Sequence, residues 1–208
     1  MLLAKIALVI MVLALLSCSI ADSNTGSADQ ESRAALDAWL KTLSKDKPLP
    51  SAPKIVAVDG AVAALFPEDR FFTVQFMRFP RAVTPPVPLQ LENLVRVQAD
   101  GSVDRIENVE ALPKLFEKKL ADVRDEHQAR IVLMACLRLA EEFYQDGYYT
   151  FNIPEASVSA VRQDQHWIAA GIAVVTQGGK GEISVMVTTG SPGKITINGK
   201  VRPNVRLR

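Results

Sequence analysis

The side chains that could carry chemistry in this sequence are few: two cysteines, two histidines, a glycine loop bearing a lysine, and a pair of adjacent glutamates. Cys136 would need a base within hydrogen-bonding reach to act as a nucleophile. His127 lies nine positions earlier on what reads as the same helix, which puts it on the opposite face and about 13 Å along the axis. Cys136 also falls inside an apolar stripe, where a thiol behaves as a small hydrophobe. His166 sits beside Trp167 in a turn and is expected to be exposed. Two histidines and one cysteine beyond the N-terminus are too few for a zinc site of the usual nitrogen and sulfur type. Gly178-Gly179-Lys180-Gly181 lacks the Ser or Thr and the following helix of a phosphate loop, and reads as a hairpin. Glu141 and Glu142 are neighbours on a helix and do not face each other, so they are expected to be solvated. No residue is therefore assigned a catalytic, cofactor-binding or metal-binding role.

Cys18 is a different case. Met1 to Ala4 with Lys5 form a short positive start, and Ile6 to Leu16 is an apolar run of eleven residues. A membrane span needs about 20 such residues, so the run has the length of an export signal. It ends in Leu15-Leu16-Ser17-Cys18, the pattern of a bacterial lipobox with Leu where a small residue is commoner. Cleavage there would leave Cys18 lipidated at the mature N-terminus. Ser19-Ile20-Ala21 ahead of Asp22 is a rival site for plain secretion. The preferred expectation is a signal peptide over 1–17, a flexible tether over 18–29 reaching roughly 20 Å, and an envelope lipoprotein facing the periplasm. With Cys18 modified or removed, Cys136 has no disulfide partner.

The rest of the chain must supply the scaffold. Net charge is +1, and loss of Lys5 with the leader makes it zero. A neutral domain is a poor nucleic-acid binder, because phosphate contacts need clustered Lys and Arg. Leu36, Trp39, Leu40 and Leu43 mark one face of a helix from about Gln30 to Lys45, with Ser27 and Gln30 at capping-box spacing. Pro48, Pro50 and Pro53 make a stiff connector. Lys54–Val58 reads as a short strand and Gly60–Phe66 as a helical turn. Arg70–Phe79 reads as a strand, with Phe72, Val74 and Phe76 on one face and Phe71, Thr73, Gln75 and Met77 on the other. Thr84-Pro85-Pro86-Val87-Pro88 reads as a polyproline II crossover. Leu91–Gln98 and Val103–Asn108 flank an Asp100-Gly101 hairpin turn.

Two helices follow, at about Leu112–Val123 and Asp125–Gln145. The second carries a stripe of Ala129, Val132, Leu133, Cys136, Leu139, Ala140 and Phe143, with Arg130 and Arg138 on other faces. Asp125 and Gln128 have capping-box spacing, and Asp146-Gly147 is the stop. Strands at Tyr148–Ile153, Ser157–Gln163, Trp167–Gln177, Glu182–Thr189 and Lys194–Val201 are joined by short turns, which predicts an antiparallel meander. Trp167–Gln177 is apolar on both faces and is expected to be central. Its Ala169, Gly171 and Ala173 would either floor a pocket or admit a helix closely. Phe143, Tyr144, Tyr148, Tyr149 and Phe151 are expected where helix meets sheet. Lys194 to Arg208 holds five basic residues and no acid. It reads as a solvated end, with contact to anionic lipid or an acidic partner as the sharper alternative.

The expected fold is α+β, with amphipathic helices packed on an antiparallel β-meander. One domain over 30–208 is expected, and two fused lobes over 30–108 and 109–208 are an alternative. A long helix before a meander is similar in layout to cystatin-like and PepSY-like modules. The stretch from Glu141-Glu142-Phe143-Tyr144-Gln145-Asp146-Gly147-Tyr148-Tyr149 to Gln177-Gly178-Gly179-Lys180-Gly181-Glu182 resembles exported, planctomycete-type bacterial proteins of uncharacterised families. The resemblance covers about half the chain and assigns no functional residue. The functional expectation is a non-catalytic binding or scaffolding protein, held to the membrane through a lipid on Cys18, with an unidentified envelope protein or ligand as partner. The alternative is a secreted, hydrolase-like enzyme with a carboxylate or hydroxyl site.

Overall fold

The computed structural model describes residues 29–42, 53–58, 60–75, 94–144 and 149–203. Several expectations lie outside these residues. They are the signal peptide and Cys18, the caps at Ser27 and Gly147, the proline connector before Pro53, the Thr84–Pro88 crossover and the end of the basic tail.

The described residues form an α+β fold of two antiparallel sheets and four helices arranged in layers. The first sheet runs in order β1 (Lys54–Ala57), β2 (Arg70–Gln75), β3 (Leu94–Val97) and β4 (Val103–Arg105). Alternation along β2 explains its position. Phe72 and Val74 point to one side, where they meet Leu36 and Leu40 of α1 (residues 29–42), with Trp39 packed alongside. Phe71 points to the other side, into the larger core. A strand apolar on both faces is one covered on both faces. Arg70 Nε donates to Asp29 Oδ1 at 2.9 Å and ties the start of α1 to this strand. Gly101, at φ +80°, makes the β3–β4 turn that Asp100-Gly101 predicts.

α2 (Ala61–Leu65) and α3 (Leu112–Ala121) flank the long α4 (Glu126–Tyr144). Phe66 joins them, its ring centroid 5.4 Å from Phe71 and 5.3 Å from Phe116. α4 starts where its capping pair predicts: Gln128 N–H donates to Asp125 Oδ1 at 2.8 Å, and Gln128 Oε1 accepts from Arg124 N–H at 2.7 Å. Ala129, Val132, Leu133, Cys136, Leu139 and Ala140 are buried as the stripe requires, and Ala135 and Leu137, off the stripe, are fully buried too. α4 is therefore an interior helix, enclosed by both sheets rather than laid on one.

The second sheet has five strands. β7 (His166–Gln177), β8 (Gly179–Thr188) and β9 (Lys194–Pro203) form the meander, with β7 central. β5 (Thr150–Asn152) pairs with the C-terminal half of β7 and β6 (Ser159–Gln163) with its N-terminal half, so two short strands share one edge. A 3-10 turn, Glu155–Ser157, separates them. Lys194 to Pro203 is a full ten-residue strand. The expectation of a solvated end from Lys194 is corrected as far as Pro203, and the residues after it lie outside the described ones.

The row of small residues on β7 admits a helix. A Cβ at Gly171 would lie 2.9 Å from Leu137 Cδ1 and 3.4 Å from Leu133 Cδ2, both on α4. Carbon contacts are optimal near 3.5–4.0 Å, so glycine sets how closely α4 can approach the sheet.

Candidate functional site

α4 presents Met134, Arg138 and Glu142 at i, i+4 and i+8, on the side turned toward the end of β1 and the start of α2. With Ala57, Val58, Gly60 and Ala61 they line an open recess of about 400 Å³. Its walls are mostly apolar and its polar groups come from one helix face. The hydroxyl of Thr73, a fully buried residue on β2, donates to Glu142 Oε2 at 2.9 Å and so fixes that carboxyl. Arg138 Nη1 donates to both carboxylate oxygens of Glu141, at 3.0 and 3.3 Å. Glu141 is only 2% exposed.

Burial raises the Glu142 carboxyl above the usual glutamate range, against the hydrogen bond from Thr73 and the charge of Arg138, which both pull it down. The group is thus held in a place that disfavours its charge while being aimed at a solvent-accessible recess. Such a carboxyl can recognise a cation or a hydrogen-bond donor, or give up a proton less readily than a solvated glutamate. The expectation that Glu141 and Glu142 are solvated is corrected here: Glu141 is buried, and Glu142 is half-buried and held by Thr73 of β2. Thr73 and Arg138 were not singled out in the sequence as site residues. A signal was present in Ala135 and Leu137, apolar positions off the stripe, which mark a helix with little free surface.

The other sequence candidates remain apart. Cys136 is fully buried, and burial pushes its thiol up to about 12. His127 is exposed in the first turn of α4. His166 is exposed, as expected, and opens β7, paired with Gln163 across the Asp164-Gln165 turn. Gly179 to Gly181 belong to β8 and pair with Val201 to Pro203 on β9, so the expected four-residue loop is corrected: the strand begins before Glu182 and Gly178 alone separates β7 from β8. Tyr149 and Phe151 pack in the core with ring centroids 6.4 Å apart; the side chains of Phe143, Tyr144 and Tyr148 lie outside the described residues. Among the described residues no group of three or more His, Cys, Asp or Glu could hold a metal ion, and no helix is long and apolar enough to cross a membrane.

A second feature is the face of the five-stranded sheet turned away from α4. Strand alternation puts Val161, Ile168, Ala170, Ile172, Val174 and Met186 there. Val161 is 59% and Met186 48% exposed. A shallow depression of about 360 Å³ runs over Ala170, Ile172, Ser184, Met186, Thr196 and Asn198.

Comparison with known protein families, curated proteins and solved structures finds no match to this chain.

Proposed function

We propose that the chain is an exported, lipid-anchored protein of the bacterial cell envelope that binds a small ligand without transforming it. The export and anchoring part rests on the apolar run and Leu15-Leu16-Ser17-Cys18. The binding part is carried by one observation: Glu142, fixed by buried Thr73, faces an apolar-walled recess beside Arg138. Ligand sites commonly combine apolar walls with a few fixed polar groups. A cationic ligand group beside Glu142 would restore to its carboxylate the stabilisation that burial removes, so the ligand class favoured is a small organic amine with an apolar body.

Two measurements test this. A lipid probe supplied to cells should label the wild-type chain and not Cys18→Ser; a mature N-terminus at Asp22 would overturn the anchor. Ligand-observed NMR with alkylamines and the matching alcohols should show amines binding the full chain preferentially. That binding should weaken as pH falls and Glu142 takes up its proton, and be lost in Glu142→Gln and in Ala61→Trp, which fills the recess. Equal behaviour of amines and alcohols, or binding unchanged in both variants, would sink the ligand assignment. The raised carboxyl also favours a second reading, in which Glu142 is a general acid of a hydrolase-like enzyme. Turnover of chromogenic ester, amide or glycoside substrates that disappears in Glu142→Gln would select that reading.

A further inference from the structure

The outward face of the five-stranded sheet is divided by charge. Its apolar residues lie on β6 and β7, with Met186 on β8 across from Ala170. Its charged residues lie on β8 and β9. Register places Lys180 opposite Arg202, Glu182 opposite Lys200 and Thr188 opposite Lys194, all on the same face as Met186 and all the charged ones exposed. Four cations against one acid therefore border an apolar band in which Val161 and Met186 are exposed and Ile168, Ile172 and Val174 are half-buried. The helices that pack on this sheet do so from its other face, and no described element covers this one. Cations left on the outer face of a strand pair, with Lys180 and Arg202 directly opposed, gain nothing from each other, since like charges across a ladder are destabilising.

We infer that this face docks the protein flat on a membrane surface rich in anionic lipid. The inference rests on the reading of the chain as an envelope protein. Clustered Lys and Arg next to a membrane are attracted to its negative surface potential, and adjoining apolar side chains enter the headgroup boundary. Charge complementarity selects this occupant over a second copy of the chain. Stacking two such faces would set the basic band against itself or against the partner's apolar band, and either arrangement is unfavourable. Chain length permits the contact. Cys18 precedes residue 29 by eleven positions, whose mean reach is roughly 20 Å and whose fully extended span is at most about 40 Å, so the contact stretches the tether beyond its mean. α1 lies three layers from the second sheet, about 30 Å at roughly 10 Å per layer. A lipid on Cys18 and the basic face can therefore engage one bilayer together, the lipid limiting escape and the face setting orientation.

The test uses the chain from residue 18 onward carrying Cys18→Ser, so that neither an acyl group nor the apolar run Ile6–Leu16 contributes, sedimented with vesicles of phosphatidylglycerol and phosphatidylcholine or of phosphatidylcholine alone. Binding should require phosphatidylglycerol and weaken with salt. Lys180→Glu/Lys200→Glu/Arg202→Glu should reduce it by on the order of 100-fold or more, at roughly fivefold per cation removed. Val161→Ser/Met186→Ser, at exposed positions, should reduce it by a smaller factor, and Lys114→Glu/Lys118→Glu on α3 should leave it unchanged. Equal binding to both vesicles, or full binding by the triple variant, would overturn the inference. So would stronger binding to polyglutamate than to vesicles with no effect of Val161→Ser/Met186→Ser, which would mark the face as a site for an acidic protein. Failure of Cys18 labelling would remove the anchor and leave the vesicle result standing, so the two readings fail separately.

Discussion

Gly171→Val offers a direct test of how α4 is seated. The Cβ of any residue at this position would stand 2.9 Å from Leu137 Cδ1 and 3.4 Å from Leu133 Cδ2. Leu133 and Leu137 are fully buried, so Leu137 Cδ1 must shift against other core side chains to make room. Adding methyls to a filled core costs about 1–3 kcal/mol. Valine is a better strand former than glycine by up to about 1 kcal/mol, which leaves a net loss of about 0–3 kcal/mol. Leu137→Ala alone should cost about 2–5 kcal/mol through lost burial and a cavity. In the double variant the new valine enters space the leucine vacated, so the combined loss should fall short of the sum by about 1–3 kcal/mol. Ala170→Val, one residue away on the outward face, should change stability by no more than about 0.5 kcal/mol. Urea unfolding followed by circular dichroism measures all four. Additive losses in the double variant would refute the close approach of α4 to β7. The contact bears on the site, because Leu137 and Glu142 lie about 140° apart around the helix. A helix lifted off the second sheet is pushed toward the recess.

Three further outcomes are expected. Glu142 binds its proton more tightly folded than unfolded, so wild-type stability should fall as pH rises from about 4.5 through its raised folded value; Glu142→Gln should flatten that part of the profile, as read from urea midpoints across the range. Arg138→Ala should cost about 1–3 kcal/mol because Glu141 is buried against it, whereas Arg130→Ala, which separates an exposed pair with Glu126, should cost under about 1 kcal/mol; thermal melts of the two variants compare them. Cys136→Ala should cost on the order of 1 kcal/mol. The wild-type thiol should resist alkylation in the native state. Because the thiol titrates near 9.0 when unfolded and about 12 when folded, alkaline pH should remove about 1.4 kcal/mol of stability per pH unit across that interval.

The elements were legible because their signals are local. Asp125 and Gln128 mark the start of α4, Asp100-Gly101 marks a turn, and alternation at Phe71 to Val74 already shows a strand with two apolar faces. The layering was less legible. Burial on both faces of β2 implies two partners and does not say which, and the partners, α1 and α4, come from opposite sides of it in the chain. The recess was the least legible. Glu142 owes its environment to Thr73, 69 positions away, and no periodicity links the two. Read alone, Glu141-Glu142 near a helix end looks like ordinary solvated charge. The small residues of β7 were read with both outcomes open, since a short side chain shows that something comes near without showing what.

The divided edge of the second sheet bears on how the protein avoids joining its own copies. An unpaired strand edge is a template for another chain, and the hazard grows with its length and flatness. β5 and β6 have three and five residues, with the Glu155–Ser157 turn between them, so that margin never offers a long straight template. β9, at the other margin, has ten residues with no such interruption. It carries Lys194, Lys200 and Arg202 in alternating positions, and a second copy arriving to extend the sheet would bring the same charges. One margin resists fibril growth by geometry and the other by repulsion, which makes the β9 side the one whose protection depends on ionic strength.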